Sequence, residues 1–180
     1  MIHAKAIDFH LLDGTTLVCF DGAALQSSLC FGAGGTLKTH QSRTTYWFLN
    51  CGSGSNNKAE LLGLWVSLSL SNFWSLDHLC VLGDSKLIID WINQSSKLHS
   101  VHLEGWKREM QMLANKFSDT QFQHIHRTHN QAADSLSKRA LNDVIGRLSV
   151  FHCADGIESP ISTYNLFEEL PDPSPTSVYR

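Results

Sequence analysis

The first clear pattern in the chain is the β-branched and apolar run TTLVCF at 15–20, which predicts a strand ending at Asp21-Gly22. The runs LCFGAGGTL (29–37) and TTYWFLNC (44–51) predict two further strands, joined by a polar turn over 38–43. The period then changes. From Asn57 to Ser71 the residues Ala59, Leu62, Val66 and Ser69 fall along one helical face, widened by Leu64, Trp65 and Leu68. Asn57 and Glu60 have the spacing of a capping box. HLCVLGD suits a strand buried on both faces. SKLIIDWINQ predicts a short helix with Leu87, Ile88, Trp91 and Ile92 inward. In 102–117, Leu103, Trp106, Met110, Leu113 and Phe117 alternate spacings of three and four, as a helix does. Phe122 to His126 alternates as a strand, and Gln131 to Leu141 predicts a last helix.

The order is therefore β-β-β-α-β-α-α-β-α. Three early strands suit a meander, and later strands separated by helices suit parallel addition, giving a mixed α/β sheet covered by helices. After about residue 155 the run PDPSPTS and its neighbours predict a flexible tail.

Composition sharpens this picture only in part. The 180 residues fit one domain with a little extra, and 42% hydrophobic against 17% charged residues argues for a packed core over disorder. The formal net charge of -3 argues mildly against tight nucleic-acid binding, although an acidic metal site would itself contribute negative charge. Five scattered cysteines without a C-x-x-C pair suggest reduced thiols and an intracellular protein, cytoplasmic or nuclear. The first residues do not read as a signal peptide, and no run approaches a membrane span.

Four acids stand out, and each has an ordinary explanation. Asp21 sits in Asp-Gly, a frequent hairpin turn. Glu60 could complete a capping box, Asp84 could cap the helix beginning at Ser85, and Asp134 could complement a helix dipole behind an Asn130 cap. Their placement adds a second explanation. Asp21 and Asp84 end predicted strands, and Glu60 and Asp134 begin helices, so a mixed sheet can collect all four at one edge. Carboxylates gathered there repel unless cations neutralise them. Mg²⁺ suits such oxygen donors, with Mn²⁺ as a substitute, and two ions about 3.5–4 Å apart can drive phosphodiester hydrolysis.

FDGA (20–23), G-x-G-G (32–35), SNNKAEL (55–61), GDSKLIIDWI (83–92) and HRTHNQAADSLSKRAL (126–141) together resemble the type 1 ribonuclease H family. The likeness is to its plant reverse-transcriptase-like branch, including domains carried by non-LTR retroelements. It divides the chain into a lead-in (1–14), a ribonuclease H-like domain (15–142) and an extension (143–180). The resemblance implies a five-stranded mixed sheet with helices on both faces. It also implies cleavage of the RNA strand of RNA–DNA hybrids, leaving a 5′-phosphate and a 3′-hydroxyl. By motif position, Asp21 bridges two metal ions, Glu60 and Asp84 share one, and Asp134 holds the other. Asn56 matches a minor-groove contact, and the backbone of Gly22, Ala23 and Ala24 would approach RNA 2′-hydroxyls.

Two departures from the family follow. The link SSKLHSVHLEG holds one lysine, so the basic protrusion of bacterial members is expected to be absent and affinity to come from a fused reverse transcriptase, binding domain or partner. The compact loop before Asp134 places Arg127 at an arginine position of the short-loop branch. That suggests a phosphate or leaving-group contact, against the alternative of a surface ion pair. His126 and His129 are possible substitutes.

Ten histidines invite a zinc reading, but the short spacings at His99/His102 and His124/His126/His129 lack a cysteine pair. Trp65 and Trp106 read as core, Trp47 and Trp91 as more open, and Asp90, Glu104, Glu109 and Asp143 as solvated surface. Three functions remain in play: a hybrid-cleaving endoribonuclease, a non-catalytic nucleic-acid-binding module of the same fold in a polyprotein, and a related nuclease acting on DNA or duplex RNA.

Overall fold

The computed structural model describes residues 14–25, 27, 30–39, 43–94 and 101–166, with the side chains of 101–104 left aside. The lead-in 1–13, the link 95–100 and the end of the extension from 167 lie outside the described residues. The strands are β1 Thr16–Leu25, β2 Cys30–Lys38, β3 Thr44–Gly52, β4 His78–Gly83, β5 Asp119–His124, β6 Arg147–Ala154, β7 Ile157–Glu158 and β8 Ser162–Asn165. The helices are α1 Asn56–Phe73, α2 Lys86–Ile92, α3 Val101–Ala114 and α4 Gln131–Ala140. No helix among the described residues is long and apolar enough to cross a membrane.

All eight strands join one mixed sheet in the order β5-β4-β1-β2-β3-β6-β7, with β8 also beside β6. β1 runs antiparallel to β2 and parallel to β4, and β4 runs parallel to β5. This is the mixed α/β sheet that the sequence predicts, with more strands than the five implied. Beyond residue 143 the chain returns to the sheet: β6 lies antiparallel to β3 from Thr44↔Cys153 to Leu49↔Leu148. Its inward residues Leu148, Val150 and Phe151 are buried, which explains why it leaves solvent. The tail expected after residue 155 also contributes β7 and β8.

Strand alternation sorts the core onto two faces. Val18 and Phe20 of β1, Ala33 and Leu37 of β2, and Trp47 and Leu49 of β3 pack with Leu61, Leu64 and Leu68 of α1 and Ile88 and Trp91 of α2. On the other face, Phe48 and Phe151 meet Leu136 and Ala140 of α4. The glycines of the G-x-G-G run allow that second contact. A Cβ on Gly34 would lie 2.3 Å from the Ser137 backbone nitrogen, so only a bare backbone lets α4 sit this close to β2.

Several local expectations need correcting. Asp21-Gly22 is not a turn; β1 continues to Leu25, with Asp21 paired to Gly34. The α1 cap is Ser55, whose hydroxyl accepts from the Lys58 amide at 3.2 Å, so no Asn57–Glu60 box forms. Leu87 is exposed and Ile89 is buried in its place on α2. Trp47 and Trp91 are 0% exposed. β3 is an interior strand once β6 joins it, and α2 lays Trp91 into the core beside Ile88. Asp143 is not solvated either. Its carboxylate accepts from the Val144 amide, Ser149 Oγ and Arg147, while its carbonyl accepts from the buried Asn50.

Candidate active site

The pairing of β1 with β4 ends at Phe20↔Gly83, so the next residues, Asp21 and Asp84, lie at the same level. Past that point β1 has no neighbour on the β4 side, and groups from both faces can meet in the resulting notch. α1 enters it because Gly22 has no side chain: a Cβ there would stand 2.7 Å from the Glu60 backbone nitrogen. Glu60 is thereby brought to Asp21. One carboxylate oxygen each of Asp21, Glu60 and Asp84 lie within 4.8 Å of one another. Asp21 and Glu60 are each only 5% exposed.

Such a cluster is electrostatically unfavourable without cations. Burial, then the charges of Asp21 and Asp84, pushes the Glu60 carboxyl up to about 9, against a smaller opposing hydrogen bond from the Gly22 backbone. Burial, then the charge of Asp84, pushes Asp21 up to about 7. Glu60 Oε2 is buried and has no hydrogen-bond partner among the described residues. A buried acceptor left unsatisfied is costly. Three converging hard oxygen donors, one of them from a carboxylate with an orphaned oxygen, fit a divalent cation of the Mg²⁺ or Mn²⁺ type.

Asp134 sits in the first turn of α4 and is held differently. Its Oδ1 accepts from Arg127 Nη2 at 2.7 Å and its Oδ2 from Lys138 Nζ at 2.6 Å. Partial burial acts to raise its pKa, but Lys138 and Arg127 outweigh that and hold it below the ordinary value. Its charge still reaches Asp21. Arg127 therefore makes an ion pair here, and it points at an acid of the site rather than at bystander surface.

Three neighbours were not singled out for these roles in the sequence. Ser137 Oγ donates to Asp21 Oδ2 at 3.1 Å and lies 2.9 Å from the Asp134 carbonyl oxygen, so it joins β1 to α4. Asn130 makes no side-chain cap; its Nδ2 donates to the Phe20 carbonyl at 2.8 Å, fixing the start of α4 beside Asp21. His124 Nε2 is 3.2 Å from the Asp84 carbonyl oxygen. Ser137 and Lys138 follow Asp134 by three and four residues, the spacing that brings helical side chains together, and this is the signal that could have found them. His126 is the N-cap of the short turn Arg127–His129, and its ring nitrogen accepts from the Thr128 amide. Ala24 and Asn56 are exposed, and Gly22 and Ala23 are half-buried, along the stretches that lead into the notch.

The profile of the reverse transcriptase-like family matches residues 19–140. Among solved structures, an RNase H1 from the halophilic archaeon Halobacterium salinarum superposes with a TM-score of 0.68 at 24% identity, covering 72% of this chain and 99% of that one. The N-terminal RNase H domain of a Mycobacterium tuberculosis protein gives 0.66 at 25% identity, covering 71% and 94%. LC11-RNase H1, solved in complex with an RNA/DNA hybrid, gives 0.64 at 23% identity, covering 71% and 96%. No curated protein sequence matches the chain.

Proposed function

The chain belongs to the reverse transcriptase-like family and has the ribonuclease H fold, and from that premise we propose that it is a metal-dependent endoribonuclease acting on the RNA strand of RNA–DNA hybrids. The observation that carries this reading is the triad of buried Asp21, buried Glu60 and half-buried Asp84, which bring one carboxylate oxygen each within 4.8 Å of one another, beside the unpartnered Glu60 Oε2. A repulsive cluster of this kind is costly in a purely structural role and useful in a metal site.

In this reading Asp21, Glu60 and Asp84 would hold one divalent ion, and Asp134, linked to Asp21 through Ser137, would serve a second. Bound ions of this type supply an activated water and neutralise charge at the scissile phosphate. The chain itself positions the substrate. The Gly22–Ala24 backbone faces RNA 2′-hydroxyls, Asn56 reaches the minor groove, and Arg127 offers a guanidinium to a phosphate. Ser137 and Asn130 keep β1 and α4 in register, so that Asp21 and Asp134 address the same group.

The net charge of -3 favours a second reading, a non-catalytic binding module served by a fused or associated domain. One experiment separates the two. The purified chain and Asp84→Asn are incubated with an end-labelled hybrid in Mg²⁺ or Mn²⁺, beside duplex DNA and duplex RNA. Cutting of the hybrid's RNA strand alone, lost in the variant, is the expected result. A folded protein that binds hybrid and cuts nothing in either metal would favour the binding module.

A further inference from the structure

Asp134 differs from the other three acids in having both carboxylate oxygens already taken. Arg127 holds one at 2.7 Å and Lys138, one helical turn along α4, holds the other at 2.6 Å. We propose that Lys138 is a positioning residue that, with Arg127, serves as the built-in counter-ion of Asp134, so that the free protein takes a single divalent ion at Asp21, Glu60 and Asp84. The inference rests on the metal-site reading given above. It adds that the second ion position is closed until a polyanion draws the two cations away.

The two ion pairs suit this task because they are easy to open. The Arg127 and Lys138 side chains are 68% and 56% exposed, whereas that of Asp134 is 19% exposed. Exposed pairs of this kind are individually weak. A nucleic-acid phosphate offers both cations a competing anion, and the guanidinium of Arg127 can grip it through two N–H groups. Asp134 would then be bare beside Asp21 at the moment a phosphate arrives to share a second ion. The triad cannot be closed in the same way, since no lysine or arginine pairs with Asp21 or Glu60 among the described residues.

Counting Mn²⁺ ions bound to the substrate-free full chain, by electron paramagnetic resonance and calorimetry, tests the proposal without reference to activity. Wild type should bind one ion, and Asp84→Asn should lose it. Lys138→Met should bind a second, with that site strengthened by up to about fivefold, the scale of one exposed ion pair. The second ion should vanish again in Lys138→Met/Asp134→Asn, and Lys138→Arg should restore one. Two ions in wild type, or one in Lys138→Met, would overturn the counter-ion role while leaving the triad reading intact. Mn²⁺ binding that survives Asp84→Asn unchanged would overturn the triad reading and this inference with it.

Discussion

Glu60 illustrates how one residue can be placed against its own stability. Its carboxyl is buried beside two other acids and is pushed up to about 9, while Asp21 is pushed up to about 7. In the unfolded chain both groups titrate near about 4. Between roughly pH 4 and 9 the metal-free folded state therefore holds more protons than the unfolded state, and its stability must fall as pH rises through that window. Metal binding needs the deprotonated carboxylates, so its stabilisation grows in the same direction. The expected outcome is a melting temperature in EDTA that declines from pH 5 to pH 9, with the gain from Mg²⁺ widening over that range. A gain independent of pH would contradict the assignment of the ligands. By the same logic Glu60→Gln should melt higher than wild type in EDTA and show no gain from Mg²⁺, a pair of results that thermal scans can read together.

At the scale of elements, bare backbone in β1 and β2 decides whether the acids meet. Gly22 admits α1 and Gly34 admits α4; a Cβ on Gly34 would strike the Ser137 nitrogen at 2.3 Å and the Leu136 carbonyl carbon at 2.6 Å. These are backbone atoms that cannot turn aside. Gly34→Ala should cost about 1–3 kcal/mol or more, measured by urea unfolding. It should also lower nuclease activity beyond the fraction unfolded, because α4 carries Asp134 and Ser137. Full activity in the folded fraction would show that α4 tolerates displacement. The G-x-G-G pattern was legible as a feature of the family, but its physical purpose was not. Nothing in the run FGAGG says which helix will arrive on it, since that depends on residues about 100 positions later.

At the scale of the molecule, the interest lies beyond residue 140, where the family match ends. β6 closes the edge of β3, Tyr46 stacks on Phe151 with ring centroids 5.1 Å apart, and Asn50 ties the α4–β6 connection through the Asp143 carbonyl. Ending the chain at residue 142, the boundary suggested by the motifs, would remove the buried Leu148, Val150 and Phe151. At about 1.5–3 kcal/mol each, that loss rivals a typical domain stability of about 5–15 kcal/mol. The truncated chain should lack a cooperative melt and aggregate in size-exclusion chromatography; a monomer with an unchanged melt would make the extension dispensable. By itself the sequence determined the order of the first nine elements and singled out four acids as candidates, because period, apolar runs and acids at element ends are local properties of the chain. It placed Trp47 and Trp91 wrongly, because burial depends on which elements lie alongside, and it read 157–165 as tail, because those largely exposed residues are held by backbone pairing with β6. Only the tertiary structure decided that three of the acids converge while Asp134 is held by Arg127 and Lys138. Charge–charge distances are set by the packing of α1 and α4 on opposite faces of the sheet, which no local pattern encodes.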